Sequence, residues 1–402
     1  MVNILPVPNA RVPDAPLPNI PAPNARARPD ACPGMLRTHD AADGPLARVR
    51  VPGGAVSAAQ LRTLGGAARE LGLDVIELTS RGNLQLRGVR DPAALAGRLE
   101  AAGLLPSPSH ERVRNIVASP LGGRGTRGVL ATDPLVTALD RALCAHPRLA
   151  ALSGRFLFAL DDGTGDMTAL DADLTCTPAG LLLAGTLLVP GDGVPGDGVP
   201  GDGVPGDGVP AVALLLAAAD AFLAVRGDAW RLAEVPGGAR LVAERLGGTL
   251  TGAPGTHAPP VPHAGIVGQR DGLVALEVVP PLGRLAGTGA EALAEVADEV
   301  RVTPWRSVVL RDLRRDEAER IAARLEAAGF AAGAASPWVG VTACTGGPGC
   351  AKSRGDVQGE ARRWVAGLER APAVPVHWVG CERRCGTPRG PVVLKMPGEG
   401  QE

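Results

Sequence analysis

The chain lacks an excess of positive charge. Its 402 residues carry 41 Lys plus Arg against 42 Asp plus Glu, for a formal net charge of −1. Nucleic acids and anionic membranes both select a basic surplus, so neither partner is expected. No apolar run approaches the ~20 residues that span a bilayer. The first thirty residues lack the charged start and apolar core of an export signal. They alternate Pro, Asn, Ala and Arg, and such a segment buries too little surface to offset its ordering entropy. A disordered tail is expected over 1–31, and a cytoplasmic location. Tyrosine is absent and aromatics make up 2%, so the 45% apolar content is mostly Ala, Val and Leu. That is still enough for sizeable cores, and the length suggests two to three domains.

Seven cysteines in a reducing compartment need a reason other than disulfides. Four form a pattern. Cys344 and Cys350 are separated by Thr-Gly-Gly-Pro-Gly, and Cys381 and Cys385 by Glu-Arg-Arg. Thiolates bind soft metals and iron–sulfur clusters. A Gly-rich loop lets backbone N–H groups turn toward the sulfurs, and Arg383 and Arg384 add positive charge. The spacing points to a [4Fe-4S] cluster. Structural zinc, which prefers two to four residues between paired ligands, is the alternative. Cys144 and Cys176 have no such company and read as small core residues, and Cys32 opens a CPG turn with no assignable role.

Two kinds of repeat are present. The pentapeptide GDGVP runs four times in tandem from Gly191 to Pro210. It has no apolar face and reads as a flexible surface loop. One carboxylate per five residues does not build a calcium sphere. The deeper repeat is RLEAAG, at Arg98–Gly103 and Arg324–Gly329. Each copy closes the order β-α-β-β-α of a ferredoxin-like split unit. Strands are expected at 47–51, 75–79 and 84–86, and again at 274–279, 300–303 and 308–310. Capping boxes are expected at Ser57 with Gln60 and at Thr288 with Glu291. Asp91 and Asp316 are the expected starts of the second helices, and Gly103 and Gly329 the left-handed stops. Beyond the helices, NIVASPLGG at Asn115–Gly123 aligns with VGVTACTGG at Val339–Gly347, which sets Ser119 against Cys344. The chain therefore reads as a duplicated two-part unit with the cysteine pattern in one copy only.

At these cysteines the chain resembles the sulfite and nitrite reductase family, which carries C-x5-C and C-x3-C around a four-iron cluster. RVRVPGG at Arg48–Gly54 and TSRGNLQLRG at Thr79–Gly88 are similar to that family's arginine-bearing active-site segments. The resemblance spans roughly Cys32 to Met396. It implies an α+β fold with pseudo-twofold symmetry. Ferredoxin-like half domains would lie at 32–108 and 261–336, a first reductase-type α/β domain at 109–260, and the cluster domain at 337–402.

Within the family, CPGMLRTHDAADGPLARVRVPGG resembles the precorrin-3B synthase branch. LSGRFLFALDDG at Leu152–Gly163 supports it: Arg155 and Leu157 stand where anion-reducing members carry two lysines. That branch implies a monooxygenase, using dioxygen on a tetrapyrrole with an NADH-linked or ferredoxin-type electron donor. It also associates a non-haem iron, for which the six scattered histidines offer no legible ligand set. The alternatives are a sirohaem-dependent sulfite or nitrite reductase and a non-catalytic metal-binding protein. Guanidinium forks suit a carboxylate-rimmed macrocycle. Arg48 and Arg50 are expected to share one strand face, and Arg81, Asn83, Gln85 and Arg87 another. The candidate substrate set is Arg48, Arg50, Arg81, Asn83, Gln85 and Arg155. No catalytic acid or base is legible.

Overall fold

The computed structural model describes residues 30–191, 209–252 and 263–398. The expected tail, apart from residues 30 and 31, and most of the GDGVP repeat lie outside the described residues. Among the described residues, no helix is long and apolar enough to cross a membrane.

The first unit comprises β1 (His39–Ala41), β2 (Gly44–Val49), β3 (Ala55–Ser57), α1 (Ala58–Leu71), β4 (Val75–Leu78), β5 (Leu84–Leu86) and α2 (Pro92–Ala101). Local chemistry explains its helix boundaries. Ser57 accepts from the Gln60 N–H while the Gln60 side chain accepts from the Ser57 N–H, closing the capping box of α1. Asp91 accepts from the Ala94 N–H with Pro92 in the first turn of α2, and Gly103 follows at φ 73°.

A six-stranded sheet follows, in the order β11-β10-β9-β8-β7-β6. Its strands are β6 (Ile116–Ala118), β7 (Phe158–Leu160), β8 (Leu174–Thr177), β9 (Gly180–Leu183), β10 (Thr186–Val189) and β11 (Thr249–Thr251). Helices α3 (Thr132–Cys144), α4 (Val209–Val225) and α5 (Gly238–Arg245) accompany it. Helix α4 takes its first two residues, Val209 and Pro210, from the end of the GDGVP repeat. Pro210 fits a first helical turn, where its missing N–H has no partner to lose.

The second unit repeats the first: β12 (Gly265–Gly268), β13 (Val274–Val278), β14 (Arg284–Ala286), α6 (Gly289–Val296), β15 (Glu299–Val302), β16 (Val308–Leu313) and α7 (Arg315–Ala327). Two of its expected caps differ. The Thr288 box does not close: Thr288 is not extended and makes no capping bond, and the Glu291 side chain accepts instead from Arg69 on α1, at 2.5 Å. Helix α7 is preceded by Arg314, which places Asp316 inside its first turn rather than at the cap.

The two units are interlocked. Their sheets run β1-β2-β5-β4-β14 and β12-β13-β16-β15-β3, so each gives a short strand to the edge of the other's sheet. Helix α1 packs on α6, and one buried core runs through both units. The last part is a three-stranded parallel sheet of β17 (Val341–Ala343), β18 (Val376–Trp378) and β19 (Val393–Lys395), with α8 (Val357–Ala366) against it.

Register confirms the duplication. Ala118 pairs with Leu160 in the parallel β6–β7 ladder, and Ala343 with Trp378 in β17–β18. One residue on, the Ser119 N–H donates to Leu160 at 3.0 Å and the Cys344 N–H to Trp378 at 2.9 Å. Ser119 and Cys344 thus occupy equivalent positions at the ends of equivalent strands.

Candidate functional site

Cys344 leaves the end of β17, and Cys350 closes the loop that follows it. Cys381 and Cys385 lie on the loop after β18. Parallel strands end side by side, so both loops emerge at one edge of the small sheet. Burial pushes the Cys344 thiol up, against hydrogen bonds from the Gly380 and Gly346 N–H groups, while Cys385 and Cys350 raise it further. Cys385 is raised by burial and by Cys381 and Cys350. The four sulfurs therefore share one field, and two backbone N–H groups already point at one of them, as thiolate ligation requires.

Among the described residues, the only three Cys, His, Asp or Glu ligand atoms within 4.8 Å of one another belong to Asp161, Asp162 and Asp166. The aspartates are occupied otherwise. Asp161 accepts from the N–H groups of Gly163, Gly165, Met167 and Thr168, and Asp162 from Gly123 and Thr164.

Two adjoining cavities open beside the cysteines. The smaller, about 230 Å³, is walled by Cys344 and Cys385 with Arg48, Glu77, Gln85, Arg284 and Arg306. A polar chain crosses it. Arg48 Nη2 donates to Gln85 Oε1 at 2.7 Å, Gln85 Nε2 donates to Glu77 at 2.7 Å, and Arg284 pairs with Glu77 at 3.3 Å. The larger, about 340 Å³, is lined by Arg81, Arg231, Arg306 and Arg389 with Leu157, Leu170 and Trp305 among its apolar walls. Ser80 and Arg306 belong to both walls. Burial pulls Arg81 and Arg306 down to about 10, which leaves both charged at neutral pH. Arg231 is fixed by the fully buried Asp173, to which its Nε donates at 2.6 Å.

The candidate residues divide. Arg48, Gln85 and Arg81 line the cavities. Asn83 does not: it is buried behind them, accepting from the Val51 N–H at 3.1 Å and donating to Asn115 at 3.2 Å. Arg50, 1% exposed, donates to the carbonyls of Arg112 and Pro33 and reaches neither cavity. Strand β2 ends at Val49, so the alternation that would put Arg50 beside Arg48 has stopped. Arg155 is exposed and stacks 4.6 Å over Trp230, also outside both cavities. Arg87 serves the cysteines instead. It grips Asp43 with two bonds of 2.8 Å and donates to the Gly349 carbonyl at 2.8 Å, tying the first cysteine loop to the first unit.

Sequence reasoning missed Glu77, Arg231, Arg284, Arg306 and Arg389. Arg306 had a visible signal: Thr303-Pro-Trp-Arg-Ser repeats Thr79-Ser-Arg-Gly-Asn with an arginine where the first copy has glycine. The others reach the cavities by tertiary folding from segments without a motif.

A family model for the nitrite/sulfite reductase ferredoxin-like half domain matches residues 39–96 and 267–328. The chain carries two such half domains, in the fold of the nitrite and sulfite reductases. The NirA protein of Mycobacterium tuberculosis shares that fold at a TM-score of 0.65 and 24% identity, over 85% of this chain and 69% of its own. Sulfite reductase [ferredoxin] 2 of Mycolicibacterium paratuberculosis is 28% identical, covering 85% of this chain and 67% of the relative. Ferredoxin–nitrite reductase of Synechococcus elongatus is 28% identical, covering 86% and 74%. A precorrin-3B synthase from a Sinorhizobium species is 27% identical, covering 91% and 80%. All four are similar in fold or sequence along most of this chain, and the three named enzymes are oxidoreductases.

Proposed function

We propose that this chain is an iron–sulfur oxidoreductase of the precorrin-3B synthase type. It would use dioxygen and two electrons to hydroxylate precorrin-3A, one oxygen atom entering the macrocycle and the other leaving as water, with lactone closure onto a ring acetate. The observation that carries this reading is the cation set of the cavities. Arg48, Arg81, Arg231, Arg284, Arg306 and Arg389 line them, and no lysine among the described residues does. Sulfite or nitrite reduction calls for cations that also donate protons. Arginine binds anions but keeps its proton near neutral pH. Of the two positions where the reductases carry lysines, Leu157, 3% exposed, is in the larger cavity's wall and Arg155 is outside it.

The residues divide the work. Arg81 would pair with a rim carboxylate, while Arg231 and Arg389, already held by Asp173 and Asp171, would add positive charge beside it. Trp305, Leu157 and Leu170 offer the apolar face that a macrocycle needs, and displace water from it. Cys344, Cys350, Cys381 and Cys385 would hold a [4Fe-4S] cluster, which when bound supplies one-electron transfer from an NADH-linked or ferredoxin-type donor.

The second reading, a sirohaem-dependent sulfite or nitrite reductase, is favoured by the names of the other curated relatives. Anaerobic purification separates the two. The synthase reading expects a broad iron–sulfur shoulder without sharp haem bands, negligible sulfite reduction with a strong artificial donor, and oxygen-dependent turnover of precorrin-3A. Sirohaem bands with robust sulfite or nitrite reduction would overturn it.

A further inference from the structure

The turn after β15 is a copy of the turn after β4. The Thr79 N–H donates to Asn83 at 2.9 Å and the Thr303 N–H to Ser307 at 3.0 Å, while Gly82 and Arg306 each donate to the threonine carbonyl at 3.1 Å. Both fourth residues are left-handed, Gly82 at φ 61° and Arg306 at φ 64°. Glycine adopts that backbone freely, but arginine is strained there. A side chain kept at such a position has to be held by contacts beyond its own turn, and those contacts point to its use.

The contacts are specific. Arg306 is 8% exposed, and its Nη2 donates to the Gly386 carbonyl at 2.7 Å, one residue past Cys385. Its stem runs through a notch between two glycines. A Cβ on Gly283 would lie 2.7 Å from Arg306 Cδ, and one on Gly386 would lie 2.9 Å from Arg306 Nη2. The neighbouring carbonyl, that of Cys385, meets His377 Nε2 at 3.1 Å, while His377 Nδ1 meets the Thr342 hydroxyl at 2.8 Å. Successive carbonyls of the second cysteine loop are thus held from two sides. His377 belongs to the cluster domain, and Arg306 reaches in from the second ferredoxin-like unit.

We propose that Arg306 is a positioning residue for the cluster: it anchors the Cys381–Cys385 loop to the second unit and supplies a fixed positive charge shared by the cluster edge and both cavities. This rests on the [4Fe-4S] reading above. The charge favours the reduced, more negative cluster, and the anchor slows opening of the loop.

The test uses the anaerobically purified holoprotein and three variants. R306G suits the backbone, as Gly82 does in the first copy, so the fold is expected to persist. R306K keeps a charge without the planar fork, and R155A removes an exposed arginine elsewhere. At a fixed donor potential, the reduced-to-oxidised ratio of the cluster is expected to fall about tenfold in R306G, which is about 59 mV for a one-electron couple. Iron loss to a chelator is expected to quicken. R306K should recover part of the potential, and R155A should match wild type. An R306G protein with wild-type potential and wild-type iron loss overturns the proposal while leaving the cluster reading intact. If R306G retains no cluster, R306K decides: a shifted potential or faster iron loss supports the proposal, and wild-type values for both overturn it. Wild-type protein without iron–sulfur absorbance overturns both proposals.

Discussion

One pair of equivalent residues marks how the two copies have diverged. The Gly380 N–H points to the Cys344 sulfur, and the N–H at the matching position, Asp162, donates to Ser119 Oγ at 3.0 Å. The same backbone donor serves a thiol in one copy and a hydroxyl in the other. Ser119 then donates to Asp166 at 2.5 Å. In the cysteine copy, Cys350→Ser or Cys381→Ser is expected to abolish iron–sulfur absorbance, while Cys144→Ser and Cys176→Ser leave it, since Cys176 is buried in another sheet. Four irons retained by Cys350→Ser would show the ligand assignment to be wrong. In the serine copy, burial pushes Asp166 up to about 7, Asp161 and Asp162 add to the shift, and the Ser119 bond opposes it. A carboxyl raised in the folded state contributes stability that is fully present below its unfolded pKa, ~3.9, and is lost as pH rises through about 7. The difference is at most ~4 kcal/mol at ~1.4 kcal/mol per unit. Melting curves from pH 5 to 8 should show wild type losing ground to Asp166→Asn as pH rises. A constant gap between the two would refute the raised carboxyl.

At the scale of elements, local signals were legible where no distant residue competed for them. Ser57 and Gln60 close their box as their spacing implies, but in the equivalent pair Thr288 makes no cap and Glu291 binds Arg69 on another helix. The strand exchange was not legible. Edge strands β3 and β14 have three residues each, Ala-Val-Ser and Arg-Leu-Ala, too short for a periodic pattern to reveal a partner more than two hundred positions away. The cysteines were legible because each pair sits in one short loop. The arginine cavity was legible only in part, because six segments contribute to it and alternation fails once β2 ends. The reading of the GDGVP repeat as a spacer rests on composition alone. Removing residues 192–208, which leaves β10 and α4 whole, should shift the melting temperature by no more than a few degrees and leave iron–sulfur absorbance unchanged, because loop entropy varies slowly with length. A loss of several kcal/mol in denaturant titrations would mean that the repeat packs or binds an ion.

Over the whole molecule, register carries four wall residues of the cysteine-side cavity, Arg48, Gln85, Glu77 and Gln358, to counterparts in the other copy. Arg48, paired with Gln85, corresponds to Glu277, paired with Val309. Glu77 corresponds to Arg301, and Gln358 at the start of α8 to Asp133 at the start of α3. At that counterpart the space is closed by ions. Asp133 takes Arg311 at 2.9 Å, Arg124 at 3.0 Å and Arg301 at 3.3 Å, and Arg124 continues to Asp312 at 2.9 Å. These residues come from the first α/β domain and the second ferredoxin-like unit, so the position equivalent to the cavity is a joint between them. Burial alone would raise the Asp133 carboxyl, but Arg311, Arg301 and Arg124 hold it below its usual range. A depressed carboxyl contributes stability that is present above ~3.9 and lost as pH falls through its lower folded value. Asp133→Asn leaves three guanidinium groups around a neutral amide. Breaking a fully buried pair costs about 3–5 kcal/mol, and with Asp133 29% exposed about 2–3 kcal/mol is expected here. Urea titrations at pH 7 should show that loss, and it should shrink as the pH is taken toward 3. Iron–sulfur absorbance should not change, because the joint lies on the copy without cysteine ligands. An Asp133→Asn protein as stable as wild type at pH 7, or equally weakened at both pH values, would show that charge does not hold this joint together.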